Sequence, residues 1–353
     1  MRRSASFSES FRELGLLVFI VVVCAIFQIR NHNFLTLTNI RDLLANTAIL
    51  SILSVGMMMV ILTRGIDLSI GATLALAGMI SALTVNSYRA ISPVVSLLEG
   101  TAVGLVAGAV IGLVIARFNV LPIIATLGFM NIIRGVTYLV SKGAWVSSYQ
   151  MSEGFKQIAT GKVLGVSNLI IFAVVINVAF FYFINHMKTG RQIYAVGSNP
   201  DAASISGIPR TRIIFLVYVV MGALSGFAGV LWVAKFASAQ GDTATGYELS
   251  VIAAAVLGGV SISGGSGKVS GLILGTILLG ILNNALPLIN VSPFWQQAIQ
   301  GVVILAAVLT ICLASYLGAY IEHNRIINAI VWNLGISAFS YSVAYYCMQF
   351  ILG

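Results

Sequence analysis

The sequence predicts an all-α polytopic membrane protein. Two observations support this prediction: only 8% of the 353 residues are Asp, Glu, Lys or Arg, and the apolar residues fall in long runs that raise the mean hydropathy to +1.01. Soluble globular proteins contain roughly 25% charged residues, so the composition excludes that class. Because a backbone in lipid must satisfy its own hydrogen bonds, each long run is predicted to be a helix.

A hydrocarbon core about 30 Å thick requires roughly 20 residues of helix. The sequence therefore predicts ten transmembrane helices, with a possible eleventh at 326–351. The ten predicted spans cover residues 14–29, 43–62, 66–86, 94–116, 120–140, 168–185, 213–236, 249–263, 269–290 and 297–316. We assign residues 1–316 to one transmembrane domain and residues 317–353 to a hydrophobic C-terminal tail.

The distribution of basic residues predicts the orientation of these spans. Alternating the loops from a cytoplasmic N-terminus places more Lys and Arg inside than outside, as the positive-inside rule requires. The polar loop 186–212 is then cytoplasmic. Within it, Asn199, Pro200 and Asp201 have the pattern of an N-cap, a first helical position and a first-turn acid. A short cytoplasmic helix is predicted there.

Several function classes are excluded by what the sequence lacks. The basic residues are scattered rather than clustered, so we expect no nucleic-acid partner. The three cysteines are without metal-ligand spacing and no catalytic constellation is visible, so neither a metal site nor an enzyme is predicted. The glycine-rich stretch 257–268 has Ile262 and Val269 where a phosphate-binding loop needs Gly and Ser or Thr, so we expect no nucleotide there.

Ionisable groups inside spans are costly and invite a functional question. Arg64 and Asp67 flank a glycine at the start of the third span. This pattern fits either a turn with a local ion pair or a broken helix that faces a conduit. Arg134 lies where it can snorkel or form a structural ion pair. Glu99 and Glu248 stand near span ends, which favours solvation.

Glycines recur four residues apart within several spans, a spacing that lets helices approach closely in lipid. The glycines with this spacing are Gly104, Gly108 and Gly112, Gly222 and Gly226, and Gly271 and Gly275. If the ten spans form two halves of five, the broken start of the third span corresponds to the glycine-rich turn between the eighth and ninth. Matched interruptions of this kind indicate a substrate path in transporters built from repeats.

Several strings resemble the ribose-type permeases of bacterial ABC importers, in collinear order over residues 40–309. The strings are LTRGIDLSIG at 62–71, ATLG at 125–128 with Arg134 and Gly135, GRQIYAVGSNPDAA at 190–203 with SGI at 206–208, and GYEL at 246–249 followed by LGG at 257–259. The resemblance does not extend to the C-terminal tail.

The resemblance implies a multi-pass subunit of the bacterial cytoplasmic (inner) membrane with the ten-helix fold of the vitamin B12 importer. Such a permease dimerises, receives a monosaccharide from an extracytoplasmic binding protein, and is driven by a separate ATPase that binds ATP and Mg²⁺. It binds no cofactor itself. The alternative to this function is an ion-coupled secondary transporter of a small polar solute.

The resemblance also implies roles for individual residues. The coupling helix and its supports, which contact the ATPase, would comprise Gly190, Arg191, Asn199, Ala202, Ala203, Ser206, Gly207 and Ile208. Candidate groups along the translocation path are Thr63, Asp67, Asn131, Tyr247, Glu248, Asn283 and Asn284.

Overall fold

A computed structural model describes residues 2–290 together with residues 292, 295, 298, 301 and 302. The helices in these residues are α1 (Arg2–Arg30), α2 (Leu37–Leu62), α3 (Ile70–Ser87), α4 (Pro93–Phe118), α5 (Pro122–Ser141), α6 (Glu153–Thr160), α7 (Asn168–His186), α8 (Lys188–Ser198), α9 (Pro200–Ile205), α10 (Arg210–Phe236), α11 (Tyr247–Leu257) and α12 (Val269–Leu288). A 3-10 turn lies at Ser148–Gln150, and two short strands, β1 (Lys162–Val163) and β2 (Val166–Ser167), pair as an antiparallel hairpin.

Eight helices in the described part of the chain are long and apolar enough to span a membrane: α1, α2, α3, α4, α5, α7, α10 and α12. Each coincides with a predicted span, so the all-α polytopic class is confirmed. The predicted span 249–263 is wrong in length, because α11 has only 11 residues. The glycines Gly258 and Gly259 end it, the second with φ at +83°. The spans predicted at 297–316 and 326–351, and the tail, lie outside the described residues.

Polar contacts between helix ends fall into two groups, one at each end of the bundle. At one end, Gly265 N donates to the carbonyl of Leu62, and Ser270 Oγ donates to Glu13. At the other end, Asn31 Nδ2 donates to the carbonyl of Leu288. The helices therefore run up and down between two faces, which we name the α8–α9 face and the α6 face after the short helices they carry.

Helix α10 occupies the centre of the bundle, packed against α2, α3 and α4. The predicted glycine spacing is the reason that α4 comes so close. A Cβ on Gly104 would lie 2.6 Å from Gly226 N, and a Cβ on Gly108 would lie 2.9 Å from Gly222 Cα. Backbone thus packs directly on backbone, which supplies the dispersion contacts that hold helices together in lipid. Gly271 and Gly275 form a similar contact with α11.

Two helices begin inside the bundle rather than at a face. Residues 63–69 leave α2 through Arg64, whose φ is +64°, and run without helical structure to the start of α3. Residues 237–246 likewise precede α11. The 11 residues of α11 rise about 16 Å, roughly half the hydrocarbon thickness, and its last turn packs on Gly271 in the first turn of α12. Its first turn therefore lies near mid-membrane.

The close contact of α4 with α10 predicts a large effect of one substitution. Gly104→Leu should lower the thermal unfolding midpoint of the purified protein in detergent, because overpacking costs about 1–3 kcal/mol or more. Gly15→Leu is the matched control, since nothing lies within 4 Å of a Cβ on Gly15 in α1. Equal midpoints for the two variants would contradict the backbone contact.

Candidate coupling surface and translocation path

The loop 186–212 folds as two short helices joined by a sharp turn. The side chain of Asn199 accepts hydrogen bonds from the backbone N–H groups of Asp201 and Ala202 at 3.1 and 3.0 Å, and Pro200 fills the first helical position. This is the N-cap arrangement predicted from the sequence. The predicted short helix is confirmed as α9.

The end of α9 depends on a glycine conformation. Gly207 has φ at +75°, and the N–H groups of Gly207 and Ile208 donate to the carbonyls of Ser204 and Ala203 at 3.0 Å each. This is a Schellman cap, in which a residue in the left-handed region lets two orphan carbonyls be satisfied. A Cβ on Gly207 would meet nothing within 4 Å, so the backbone angle alone requires glycine here.

Gly190 and Arg191 fix the start of the loop against α7. A Cβ on Gly190 would lie 2.5 Å from the carbonyl of Phe183, so only glycine lets α8 begin directly beside the end of α7. Arg191 Nη1 donates to the carbonyl of His186 at 3.1 Å and caps that helix end. Both residues contact the end of α7, and their role in positioning the coupling helix stays a prediction.

The turn between α8 and α9 is tied to two other parts of the chain. Arg64, which follows α2, donates from Nε to the carbonyl of Gly197 at 2.6 Å and from Nη2 to the carbonyl of Ser198 at 2.8 Å. Gly265, in the loop before α12, lies against Ser198 and donates its N–H to the carbonyl of Leu62 at 2.9 Å. The three chain interruptions thus meet at one place on the α8–α9 face.

A second bond joins α8 to the loop before α12. Tyr194 Oη donates to the carbonyl of Gly267 at 2.7 Å. Beside it, a shallow groove of about 420 Å³ separates α8 from the end of α9. The groove is lined by Lys188, Arg191, Gln192, Ala195, Ser206, Gly207 and Ile208. The cationic side chains give this surface a positive charge.

Asp67 is buried in the interruption between α2 and α3, with only 3% of its surface exposed. Its carboxylate accepts hydrogen bonds from the N–H and the hydroxyl of Ser69 at 2.8 and 2.6 Å. The local ion pair with Arg64 is therefore not formed, since the guanidinium binds carbonyls of the α8–α9 turn. Of the two interpretations of this stretch, the broken helix is the one that agrees with the structure.

The first turns of α3 and α11 meet inside the bundle. A Cβ on Gly71 would lie 2.6 Å from the carbonyl oxygen of Ala244 and 2.7 Å from Glu248 Oε2. Glu248 thus lies beside the first turn of α3 and is partly exposed, and its expected solvation stays a prediction. The segments before α3 and α11 thus lie side by side, whereas the turn after α11 contacts the end of α2.

Arg134 holds the segment before α11 in place. Its Nη1 donates to the carbonyls of Gly241 and Thr243 at 2.9 and 2.7 Å. The sequence predicts that Arg134 snorkels or forms an ion pair. Its guanidinium instead donates to backbone carbonyls that accept no hydrogen bond within a helix or strand. A backbone without regular structure needs such a donor at this depth.

Helix α5 carries an exposed stripe of small and polar positions. Gly128, Asn131 and Gly135 follow one another at helical spacing, are exposed, and the two glycines have nothing within 4 Å of a Cβ. Asn131 donates to the carbonyl of Leu127 within its own helix at 3.0 Å. Lipid is a poor solvent for the remaining amide oxygen. The stripe therefore requires a polar or protein environment.

The other path candidates lie elsewhere. Thr63 caps the end of α2 by donating to the carbonyl of Val60, and Tyr247 packs its ring edge-on to Trp232. Asn284 exchanges two hydrogen bonds with Asn39, at 2.9 and 3.1 Å, near the α6 face. Glu248 lies beside the first turn of α3, whereas Asn283 and Asn284 lie near the C-terminal end of α12.

Some residues of the site were not found from the sequence. Thr126 donates to the carbonyl of Ile66 at 3.2 Å and so supports the broken segment from α5. Tyr218 is buried beside Gly65, and its hydroxyl has no hydrogen-bond partner among the described residues. Threonine and tyrosine in an apolar helix give no signal of such a role. Among the described residues, no group of three His, Cys, Asp or Glu could hold a metal ion.

A family described as "Branched-chain amino acid transport system / permease component" matches residues 39–308. The ribose import permease RbsC of Escherichia coli K12 is 39% identical over 83% of this chain and 91% of its own length. The chain belongs to this permease family. No solved structure matches it.

Two further relatives are similar in sequence to this chain. RbsC of Bacillus subtilis strain 168 is 39% identical over 84% of this chain and 90% of its own length. The galactose/methyl galactoside import permease MglC of Escherichia coli K12 is 35% identical over 86% of this chain and 95% of its own length. The chain is accordingly an ABC permease of the ribose type and a multi-pass protein of the bacterial inner membrane. Permeases of this family are translocation subunits and not catalysts.

The bonds of Arg134 predict that Arg134→Met destabilises the permease. The variant leaves two carbonyls without a donor, and hydrogen bonds to charged groups contribute about 1.5–3 kcal/mol each. We expect a clearly lower thermal unfolding midpoint in detergent. Arg117→Met, at the exposed last turn of α4, serves as the control and should leave the midpoint nearly unchanged. Similar midpoints for both variants would show that the carbonyls do not depend on Arg134.

Proposed function

We propose that this permease is the membrane subunit of an ATP-driven importer that passes a monosaccharide, ribose or a related sugar, into the cytoplasm. In this proposal an extracytoplasmic binding protein delivers the sugar to the α6 face. A separate ATPase subunit, which binds the ATP and Mg²⁺, docks on the α8–α9 face.

One observation carries the proposal: α8 and the α8–α9 turn are bonded to both interruptions that reach the α8–α9 face. Arg64, after α2, donates to the carbonyls of Gly197 and Ser198. Tyr194 of α8 donates to the carbonyl of Gly267 in the loop before α12. Residues of α9 that face outward, including Ala202, Ser206 and Gly207, are exposed and available for a partner. A force on α9 would therefore reach the broken helices directly.

The proposed mechanism is alternating access. Closure of the ATPase would push α9, and the turn at Gly197 would displace the end of α2 together with the loop before α12. Because α3 and α11 begin inside the bundle, their first turns can separate from one another without unwinding a continuous helix. Rigid-body movement of this kind opens a conduit to one side and then to the other.

A second copy of the permease completes the proposed conduit. The exposed stripe Gly128, Asn131 and Gly135 on α5 is too polar for lipid, and a homodimer would enclose it. Sugar hydroxyls need only weak and replaceable hydrogen bonds on their way through, and neutral amides and hydroxyls supply these. The sugar class itself rests on the relatives, whose names state ribose, galactose and arabinose import.

One observation favours the alternative of an ion-coupled secondary transporter. Asp67 is a carboxylate buried in a broken helix, the type of group that such transporters use to bind a coupling ion. Its two bonds to Ser69 also have a purely structural explanation, since they initiate α3. The two functions differ in their energy source.

Uptake into proteoliposomes separates the two functions. The permease is reconstituted alone, and with the ATPase and binding protein of its own transport system, and radiolabelled ribose is supplied. We expect uptake only when the ATPase, the binding protein and ATP are all present. Uptake by the permease alone under a proton or sodium gradient would overturn the proposal in favour of the alternative.

The Schellman cap of α9 predicts that Gly207→Val abolishes transport and leaves the protein in the membrane. A β-branched residue in the left-handed region costs about 1–2 kcal/mol, which would unwind the end of α9. Gly143→Val is the matched control, because Gly143 has φ at +71° and equally open surroundings but lies on the α6 face. ATP-dependent uptake should be lost in the first variant and retained in the second. Full transport by Gly207→Val would refute the coupling role.

A further inference from the structure

The hairpin β1–β2 carries an exposed apolar tip of four consecutive residues, Val163, Leu164, Gly165 and Val166. Leu164 is fully exposed (100%), and Val163 and Val166 are exposed by 56% and 43%. No packing within the described bundle explains this tip, because all four residues are exposed. Apolar residues are rarely gathered in this way on a surface that faces water.

The hairpin stands at the boundary of the hydrocarbon layer. It is followed without a gap by α7, whose 19 residues rise about 28 Å, close to the thickness of the hydrocarbon core. The first residue of α7, Asn168, therefore lies at headgroup level. Each arm of the hairpin has two strand residues, so the tip lies within about 10 Å of Asn168.

The base of the hairpin is held firmly on the protein. Asn168 N donates to the carbonyl of Gly161 at 3.0 Å, and Asn168 Nδ2 donates to the carbonyl of Gln157 at the end of α6 at 3.0 Å. The tip thus projects from a fixed point beside α7. Further along, α7 presents the exposed apolar residues Val174, Val175 and Val178, a surface typical of a lipid-facing helix. The apolar tip stands at the start of the helix that carries this surface.

The turn itself has an unfavourable residue. Leu164 has φ at +53° and Gly165 has φ at +79°, the angles of a two-residue turn that favours Asn-Gly or Gly-Gly. Leucine in the left-handed region is disfavoured, so turn propensity does not account for it. A contact outside the bundle that a large apolar side chain stabilises does account for leucine at this position.

We propose that the hairpin inserts Val163, Leu164 and Val166 into the membrane leaflet at the α6 face. Lys162, which is exposed at the base, would remain at the headgroups. The anchor has a structural consequence. The segment that leads to α6 also pairs with the interruption before α11, through the bonds between Val146 and Ala239 at 3.0 Å. The hairpin thus fixes to the lipid a segment that borders the broken helices.

Spin labelling tests the insertion. Cys24, Cys312 and Cys347 are replaced by serine in the full chain, and a nitroxide is attached after Leu164→Cys or, as the matched control, after Thr160→Cys on the exposed end of α6. The protein is placed in lipid nanodiscs, and collisions with oxygen and with a water-soluble nickel chelate are measured. We expect oxygen to dominate at position 164 and the nickel chelate at position 160.

Nickel-dominated collisions at both positions would overturn the proposal, because the tip would then face water or a soluble partner. Dipolar broadening between two labels at 164 in one disc would also overturn it, since a second copy would then cover the tip. An unlabelled variant gives an independent test. Leu164→Asn suits the turn better, so it should raise the unfolding midpoint in nanodiscs if the tip is free, and should lower it if the tip is inserted.

Discussion

Unpaired backbone in a bilayer determines how this permease is built. Residues 63–69, 237–246 and 258–268 form no helix. The first two reach into the bundle, where a free carbonyl or N–H is expensive, and the third lies at the α8–α9 face. Their polar groups bond within each segment, to neighbouring helix ends and to a few side chains. Arg64 serves the α8–α9 turn, Arg134 serves the segment before α11, and Gly265 bonds to the last carbonyl of α2. Irregular backbone here is satisfied by donors from distant parts of the chain, including helix α5.

The same hydrogen bonds couple distant parts of the chain. Arg64, Arg134 and Gly265 each bond to a segment distant in sequence, so moving one of these segments alone would break a bond. The close backbone contact of α4 with α10 supplies the opposite property, a rigid support. In the proposed mechanism the movement occurs at the ends of α2, α3, α11 and α12, where the helices are already broken.

The sequence predicted the elements that depend on local chemistry. Apolar runs located the helices, the Asn199–Pro200 pair located α9, and glycine spacing located the faces on which α4 and α10 approach another helix closely. The predicted length of α11 was wrong because an apolar run alone does not distinguish a helix that crosses the whole membrane from one that crosses half of it. The partners of Arg64 and Arg134 were not predictable either, because their bonds to Gly197 and Gly241 join residues more than 100 positions apart.

The placement of charged side chains in the bundle indicates which kind of solute the proposed path suits. Arg64 and Arg134 are bound to carbonyls, and Asp67 accepts two bonds from Ser69, so each has an intramolecular role. The exposed stripe of α5, by contrast, carries a neutral amide between two glycines. In the proposed path this stripe offers hydrogen bonds without a fixed charge. Such a surface suits an uncharged, hydroxyl-rich solute better than an ion, in agreement with the proposed ATP-driven import.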